Sequence, residues 1–146
     1  GSRGCLESFA SGPAITAMGV KAVLQGLTTQ IGTLVARDLN RITPETIMRA
    51  AELGDPVARD ILQRAGTCLG VGIANIVTIL SPERVVIGGG VVRLGDWLLE
   101  PARATVRERC RATPAEKVQI VLAALGGDGG IIGAALWAAQ QGTPSS

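Results

Sequence analysis

Two glycine runs are the segments of this 146-residue chain whose residue types and spacing suit chemistry. The first, residues 85–91, reads VVIGGGV: a β-branched run that stops abruptly at Gly88, Gly89 and Gly90. Glycines at the carboxyl end of a buried strand let backbone amides approach a phosphate or a ribose, where any Cβ would intrude. Ligands of open α/β sheets collect at that end of the strands. The same run also makes a tight strand-to-helix turn with no ligand, and on these residues alone both readings stand. The second run, GGDGGIIG over 126–133, follows another apolar strand and opens a helix. Its glycines approach a dinucleotide fingerprint, but only one helix follows, with no further strand and no ribose-binding acid. Tight helix–sheet packing, with Asp128 capping and Gly129 near a helix N-terminus, is the better reading.

Several other chemistries are excluded by composition. The chain has no His, so it cannot by itself build a Ser–His or Cys–His pair or a His-ligated metal site. No G-K-[ST] run occurs, which removes a Walker-type phosphate loop. Cys5, Cys68 and Cys110 are too few and too scattered for a disulfide framework, which predicts a reducing, cytoplasmic setting. Cys68 and Cys110 fall on apolar helix faces and read as small core residues. With 14 Lys+Arg against 12 Asp+Glu, the charge is too balanced for a mainly electrostatic nucleic-acid binder. No apolar run reaches the ~18 residues of a membrane span, so no membrane partner is expected.

The elements that must position the glycine runs follow from caps and periodicity. Helices are expected at 11–25 and 29–38, weakened by interior glycines that each cost about 1 kcal/mol relative to Ala. Thr43-Pro44 and Asp55-Pro56 each pair a capping side chain with a proline suited to a first turn. They predict helices over 44–53 and 56–80. The second half of the longer one, GVGIANIVTIL, is apolar nearly all round and is expected to be buried. A strand at about 84–88, a helix at 94–111 with Arg103 among its outward positions, a strand at 118–123 and a helix at 131–141 complete the order. Two strands joined by a helical crossover should be parallel. Two strands are a poor sheet for so many helices, so the chain, which starts without Met, reads as part of something longer.

A further pattern emerges when the segments are taken together. The opening GSRGCLESFASG, the stretch GDPVARDILQRAGTCLGVGIANIVTILSPERVVIGGGV, the GDWLLEPARA helix and the LGGDGGIIGAAL ending resemble, in order and spacing, the ROK family of repressors, open reading frames and sugar kinases. The resemblance implies an α/β chain of the actin-like, ribonuclease-H-like ATPase fold. Specifically, 1–141 would be an incomplete carboxyl-terminal lobe, mostly helical with two parallel strands, and 142–146 a disordered tail. It implies that Glu7 binds sugar hydroxyls, a task suited to a carboxylate that accepts charge-assisted bonds. It implies that Gly88, Gly89 and Gly90 lie against the nucleotide's ribose and phosphates, with Gly129 near the same cleft. Cys5 matches the last of three cysteines that, with one His, hold a structural Zn²⁺ in the family. One thiolate cannot hold that ion, so no intact zinc site is expected in this chain.

The activity so implied is transfer of the γ-phosphoryl group of ATP to a hexose hydroxyl with Mg²⁺, catalysed by positioning and electrostatics across a cleft. The family's catalytic Asp and D-x-G-x-T loop belong to an amino-terminal lobe, and no Asp of this chain matches the base. The isolated chain is therefore expected to be inactive. The alternative is the sugar-sensing lobe of a ROK transcriptional repressor, with DNA bound through an upstream helix-turn-helix. VVIGGGV leans towards the kinase, because a repressor has no evident use for a nucleotide loop. Small-residue helices such as 62–80 also suit a subunit face, and a homo-oligomer is expected.

Overall fold

The computed structural model describes residues 4–110 and 118–141; the expected tail at 142–146 lies outside them. Among the described residues, seven α-helices and two strands occur in the order α1 (Glu7–Ala10), α2 (Gly12–Leu24), α3 (Ile31–Leu34), α4 (Pro44–Glu52), α5 (Pro56–Leu80), β1 (Arg84–Ile87), α6 (Asp96–Arg109), β2 (Gln119–Leu122) and α7 (Gly129–Gln141). Short 3₁₀ turns sit at Leu39–Arg41, Gly90–Leu94 and Gly126–Asp128.

The caps act as their residue types require. Ser11 accepts a hydrogen bond from the Ala14 amide at 3.2 Å and starts α2. Thr43 and Thr46 exchange bonds in a capping box at the start of α4, and Asp55 caps α5 through the Val57 and Ala58 amides. Each cap satisfies donors that a first helical turn leaves without an intrahelical partner.

The helix expected at 29–38 is not formed. Only the single turn of α3 survives, and the chain leaves it through two left-handed residues, Ala36 (φ 51°) and Arg37 (φ 64°). The cause is tertiary. The Asp55 carboxylate takes hydrogen bonds from the Thr29 hydroxyl and the Gln30 amide, and the Arg37 amide bonds back to the Gly32 carbonyl at 2.8 Å, a closure that ends a helix. The helix expected from Leu94 also starts late. Residues Gly90–Leu94 wind as a 3₁₀ turn, Gly95 takes φ +54°, and α6 begins at Asp96.

The strands are parallel, with Arg84 opposite Gln119 and Ile87 opposite Leu122. Each is one residue shorter at one or both ends than expected. Two buried clusters share α5 as their spine. One gathers Ile15, Ile31, Ile47, Leu62 and Leu98; the other gathers Ile73, Val77, Leu99, Val106, Cys110 and Ile120. Helices α5 and α6 meet where Gly66 and Gly70 leave room for the Leu98 and Ala102 carbonyls. Cys110 is buried as expected, whereas Cys68 is half-buried.

Two expectations about faces are corrected. In the second half of α5, Ile73 and Val77 are buried, but Ile79 is 78% and Leu80 70% exposed. Helix α6 covers one side of this stretch, and its other side meets solvent. Arg103 is not simply outward: its Nε and Nη2 donate to the Ile120 carbonyl at 3.3 and 2.8 Å, tying α6 to β2. Trp97 is half-buried, with Arg59 6.0 Å from its ring centre. Among the described residues no helix is long and apolar enough to cross a membrane.

Candidate functional site

Glu7 and the loop Gly88–Gly90, 81 to 83 positions apart in sequence, line one cavity of about 580 Å³. Its other walls are Leu6, the start of α2 (Ser11–Pro13) and Leu69 of α5. A chain of small contacts brings Glu7 there. Gly72 of α5 lacks a side chain where the Leu6 methyl sits, 2.7 Å from the position a Cβ would take. Leu6 therefore seats against α5 and carries the one-turn helix α1, with Glu7 exposed at its start. A carboxylate at the edge of this mostly apolar cavity is an acceptor for hydroxyl groups.

The opposite wall follows from strand geometry. β1 ends at Ile87, whose carbonyl still accepts from the Ala123 amide at 2.8 Å, so the strand pair delivers the loop at its carboxyl end. Gly89 has φ +82° and ψ −172°, backbone that only glycine adopts at low cost. A Cβ on Gly90 would meet nothing within 4 Å; it would point into open space where a ligand could approach the main chain.

Gly90 is also shared with a second, larger groove of about 830 Å³. That groove runs along α2 past Pro13, Ala17, Val20 and Leu24 and is closed by Pro44. Thr16, Lys21, Gln25 and Glu45 contribute its polar groups. This groove escaped the sequence reading, although α2 carries a signal for it. Ile15, Gly19 and Ala22 form the buried stripe, while 13, 16, 17, 20, 21 and 24 repeat at helical spacing on another side.

Gly129 lines neither of these two cavities. It opens α7, with the Leu125 Cβ 3.7 Å from where its own Cβ would be, and the turn before it packs against the Gly90–Leu94 turn. Cys5 is exposed, and its carbonyl accepts from the Ser8 amide at 2.9 Å. Among the described residues no three Cys, Asp or Glu side chains converge as metal ligands, so these residues do not fit a structural zinc by themselves.

Asp55, also unforeseen beyond its capping role, is the most enclosed charge among the described residues, at 3% exposure. Burial pushes its pKa up, but bonds from the Thr29 hydroxyl and the Gln30, Ala58 and Val57 amides outweigh this and hold it below the ordinary value. It fastens the Thr29–Gln30 loop to the start of α5, behind the α2 groove rather than in it.

Residues 1–141 match the model of the ROK family. A glucokinase from Halalkalibacterium halodurans is 32% identical over 144 residues, which are 97% of this chain and 42% of that protein. The xylose repressor of Caldicellulosiruptor bescii is 35% identical over 109 residues, 75% of this chain and 27% of the repressor. A ROK family glucokinase from Streptomyces griseus, solved in complex with glucose and AMPPNP, superposes with a TM-score of 0.78 at 30% identity, covering 96% of this chain and 46% of that one. The chain thus spans less than half the length of these relatives. Its fold is part of the actin-like ATPase fold of ROK sugar kinases, mostly helical with two parallel strands.

Proposed function

The chain belongs to the ROK family, and from that premise we propose that residues 1–141 are the carboxyl-terminal lobe, lacking its first strands, of an ATP-dependent hexose kinase. The observation that carries this reading is that Glu7 and Gly88–Gly90 share one cavity while Gly90 also borders the apolar α2 groove. Two adjoining spaces joined at a glycine loop, one bordered by the Glu7 carboxylate and the other running along the apolar side of α2, suit a sugar in the first and a nucleotide in the second.

In this reading Glu7 accepts hydrogen bonds from hexose hydroxyls and fixes the ring's orientation. The Gly88–Gly90 backbone lies beside the ribose and phosphates, and the α2 groove takes the base. ATP, when bound with Mg²⁺, supplies the phosphoryl group. The chain's own residues bind and orient, and the base that takes the hydroxyl proton would come from an amino-terminal lobe. Gly129 and the 126–128 turn brace the glycine loop from behind. Cys5 would join a zinc site only with ligands from outside this chain. A cytoplasmic location and self-association through the exposed α5 and α7 faces are part of the proposal.

The repressor relatives keep a second reading open, in which the same lobe senses a sugar and DNA is bound by a preceding segment. One experiment separates the two. ATP-dependent phosphorylation of glucose by the whole polypeptide, and none by the 146-residue chain alone, is the expected result. Sugar binding without any nucleotide binding would select the repressor reading instead.

A further inference from the structure

Glu7 stands on a helix too short to place itself. α1 is a single turn, Glu7–Ala10, and Leu6 at its start has no side-chain capping bond. One isolated turn is unstable in water, so the position of Glu7 depends on what the turn packs against. Its far end is held by the buried Ala10 and by the Ser11 amide, which donates to the Glu7 carbonyl at 3.3 Å. Its near end is held where Leu6 meets α5 at Gly72. Leu6 also lines the cavity beside Glu7, together with Leu69, which lies one helical turn before Gly72.

The fit at Gly72 is tight. A methyl group there would lie 2.7 Å from Leu6 Cδ2, 3.4 Å from its Cδ1 and 3.6 Å from its Cγ. Favourable carbon contacts need about 3.5–4.0 Å, so one Leu6 methyl would have to yield by about 1 Å. A Leu6 that turns aside no longer anchors the turn, and one that stays pushes the turn off α5. The Leu6 and Glu7 Cα atoms are about 3.8 Å apart, so either response reaches the carboxylate. We infer that Gly72 is a positioning residue for the sugar: its missing side chain seats Leu6, and Leu6 sets where the Glu7 carboxylate stands in the cavity. The inference rests on the reading above that Glu7 accepts hydrogen bonds from a sugar. Misplacing a binding group by about 1 Å can cost about a hundredfold, and Gly72→Ala should weaken sugar binding by about tenfold or more.

The test is calorimetric titration of the whole polypeptide with glucose, xylose and N-acetylglucosamine, the tightest of the three being carried through the variants. Gly72→Ala should lose affinity by about tenfold or more while its thermal midpoint without sugar matches the parent's, a combination that a merely structural role would not give. Leu6→Val supplies the rescue, because valine ends about where Leu6 Cγ stands, and that position clears the added methyl at 3.6 Å. The double variant, Leu6→Val with Gly72→Ala, should bind within about threefold of the parent. Parent-like affinity of Gly72→Ala, a midpoint that falls with the affinity, or a double variant no better than Gly72→Ala overturns the inference. Glu7→Gln separates that failure from a failure of the reading beneath it. Weakened binding by Glu7→Gln keeps Glu7 as the sugar's acceptor, whereas parent-like binding overturns that assignment and the inference together. A parent that binds none of the three sugars overturns both as well.

Discussion

Gly70 gives the sharpest check on how the lobe is assembled. A methyl group placed there would lie 2.6 Å from the Ala102 carbonyl oxygen and 2.6 Å from the Thr105 Cβ. Favourable contacts need about 3.5–4.0 Å, so α5 and α6 would have to separate by about 1 Å. Both obstacles belong to the backbone or lie one bond from it, and no rotamer change removes them. Against this stands the helix propensity of alanine, worth about 1 kcal/mol over glycine. Overpacking of a close interface costs about 1–3 kcal/mol, and contacts this short fall at the upper end. The net expectation for Gly70→Ala is a loss of about 1–2 kcal/mol. Gly66→Ala meets the Leu98 carbonyl at 2.7 Å and should behave alike. One separation of the helices relieves both clashes, so the double variant should lose less than the sum of the singles. Gly72→Ala is the internal control. Its methyl meets only the end of the Leu6 side chain, which can turn aside, so its stability should stay within about 0.5 kcal/mol of the parent or rise. Urea unfolding followed by far-ultraviolet circular dichroism measures all four. If Gly70→Ala proves as stable as Gly72→Ala, the close α5–α6 crossing is refuted.

Asp55→Ala removes four hydrogen bonds to a buried carboxylate, two of which cap α5, and should cost about 3 kcal/mol in the same urea assay. Because the Asp55 pKa is lowered on folding, its stabilisation is fully present above the unfolded value of about 3.9 and is lost as pH falls through the lower folded value; Asp55→Asn should flatten that acid limb of a stability–pH curve. Glu7→Gln, in the whole polypeptide, should raise the KM for hexose by about tenfold or more, through loss of a charged acceptor, while the KM for ATP stays put in a coupled kinase assay. Gly89→Ala should lose about 1–3 kcal/mol to backbone strain although its methyl meets open space, whereas Gly90→Ala should keep its stability and weaken nucleotide binding, as read by thermal shift with and without ATP.

Much of the local structure is legible in the residues themselves. Ser11, Thr43 and Asp55 with their following prolines start three helices where a free side-chain acceptor meets the first-turn amides, and that chemistry spans only two or three residues. The β-branched runs 84–87 and 119–122 and the glycine stop after the first depend on equally short-range preferences. So does the choice of Gly88–Gly90 and Glu7 as candidate site residues, which rests on residue types in a fixed order. Tertiary structure decided the rest. Nothing near Thr29 announces that Asp55, 26 residues on, will capture it and cut a predicted helix to one turn. Only the crossing of α5 and α6 determines that Gly66 and Gly70 face carbonyls while Ile79 and Leu80 face solvent. The pairing of Glu7 with the glycine loop, and the apolar groove beside it, likewise depend on Leu6 seating at Gly72 and on α2 lying beside Pro44. Caps and turns are settled by neighbours along the chain. Burial and cavities are settled by neighbours in space, and a single sequence does not say which residues those will be.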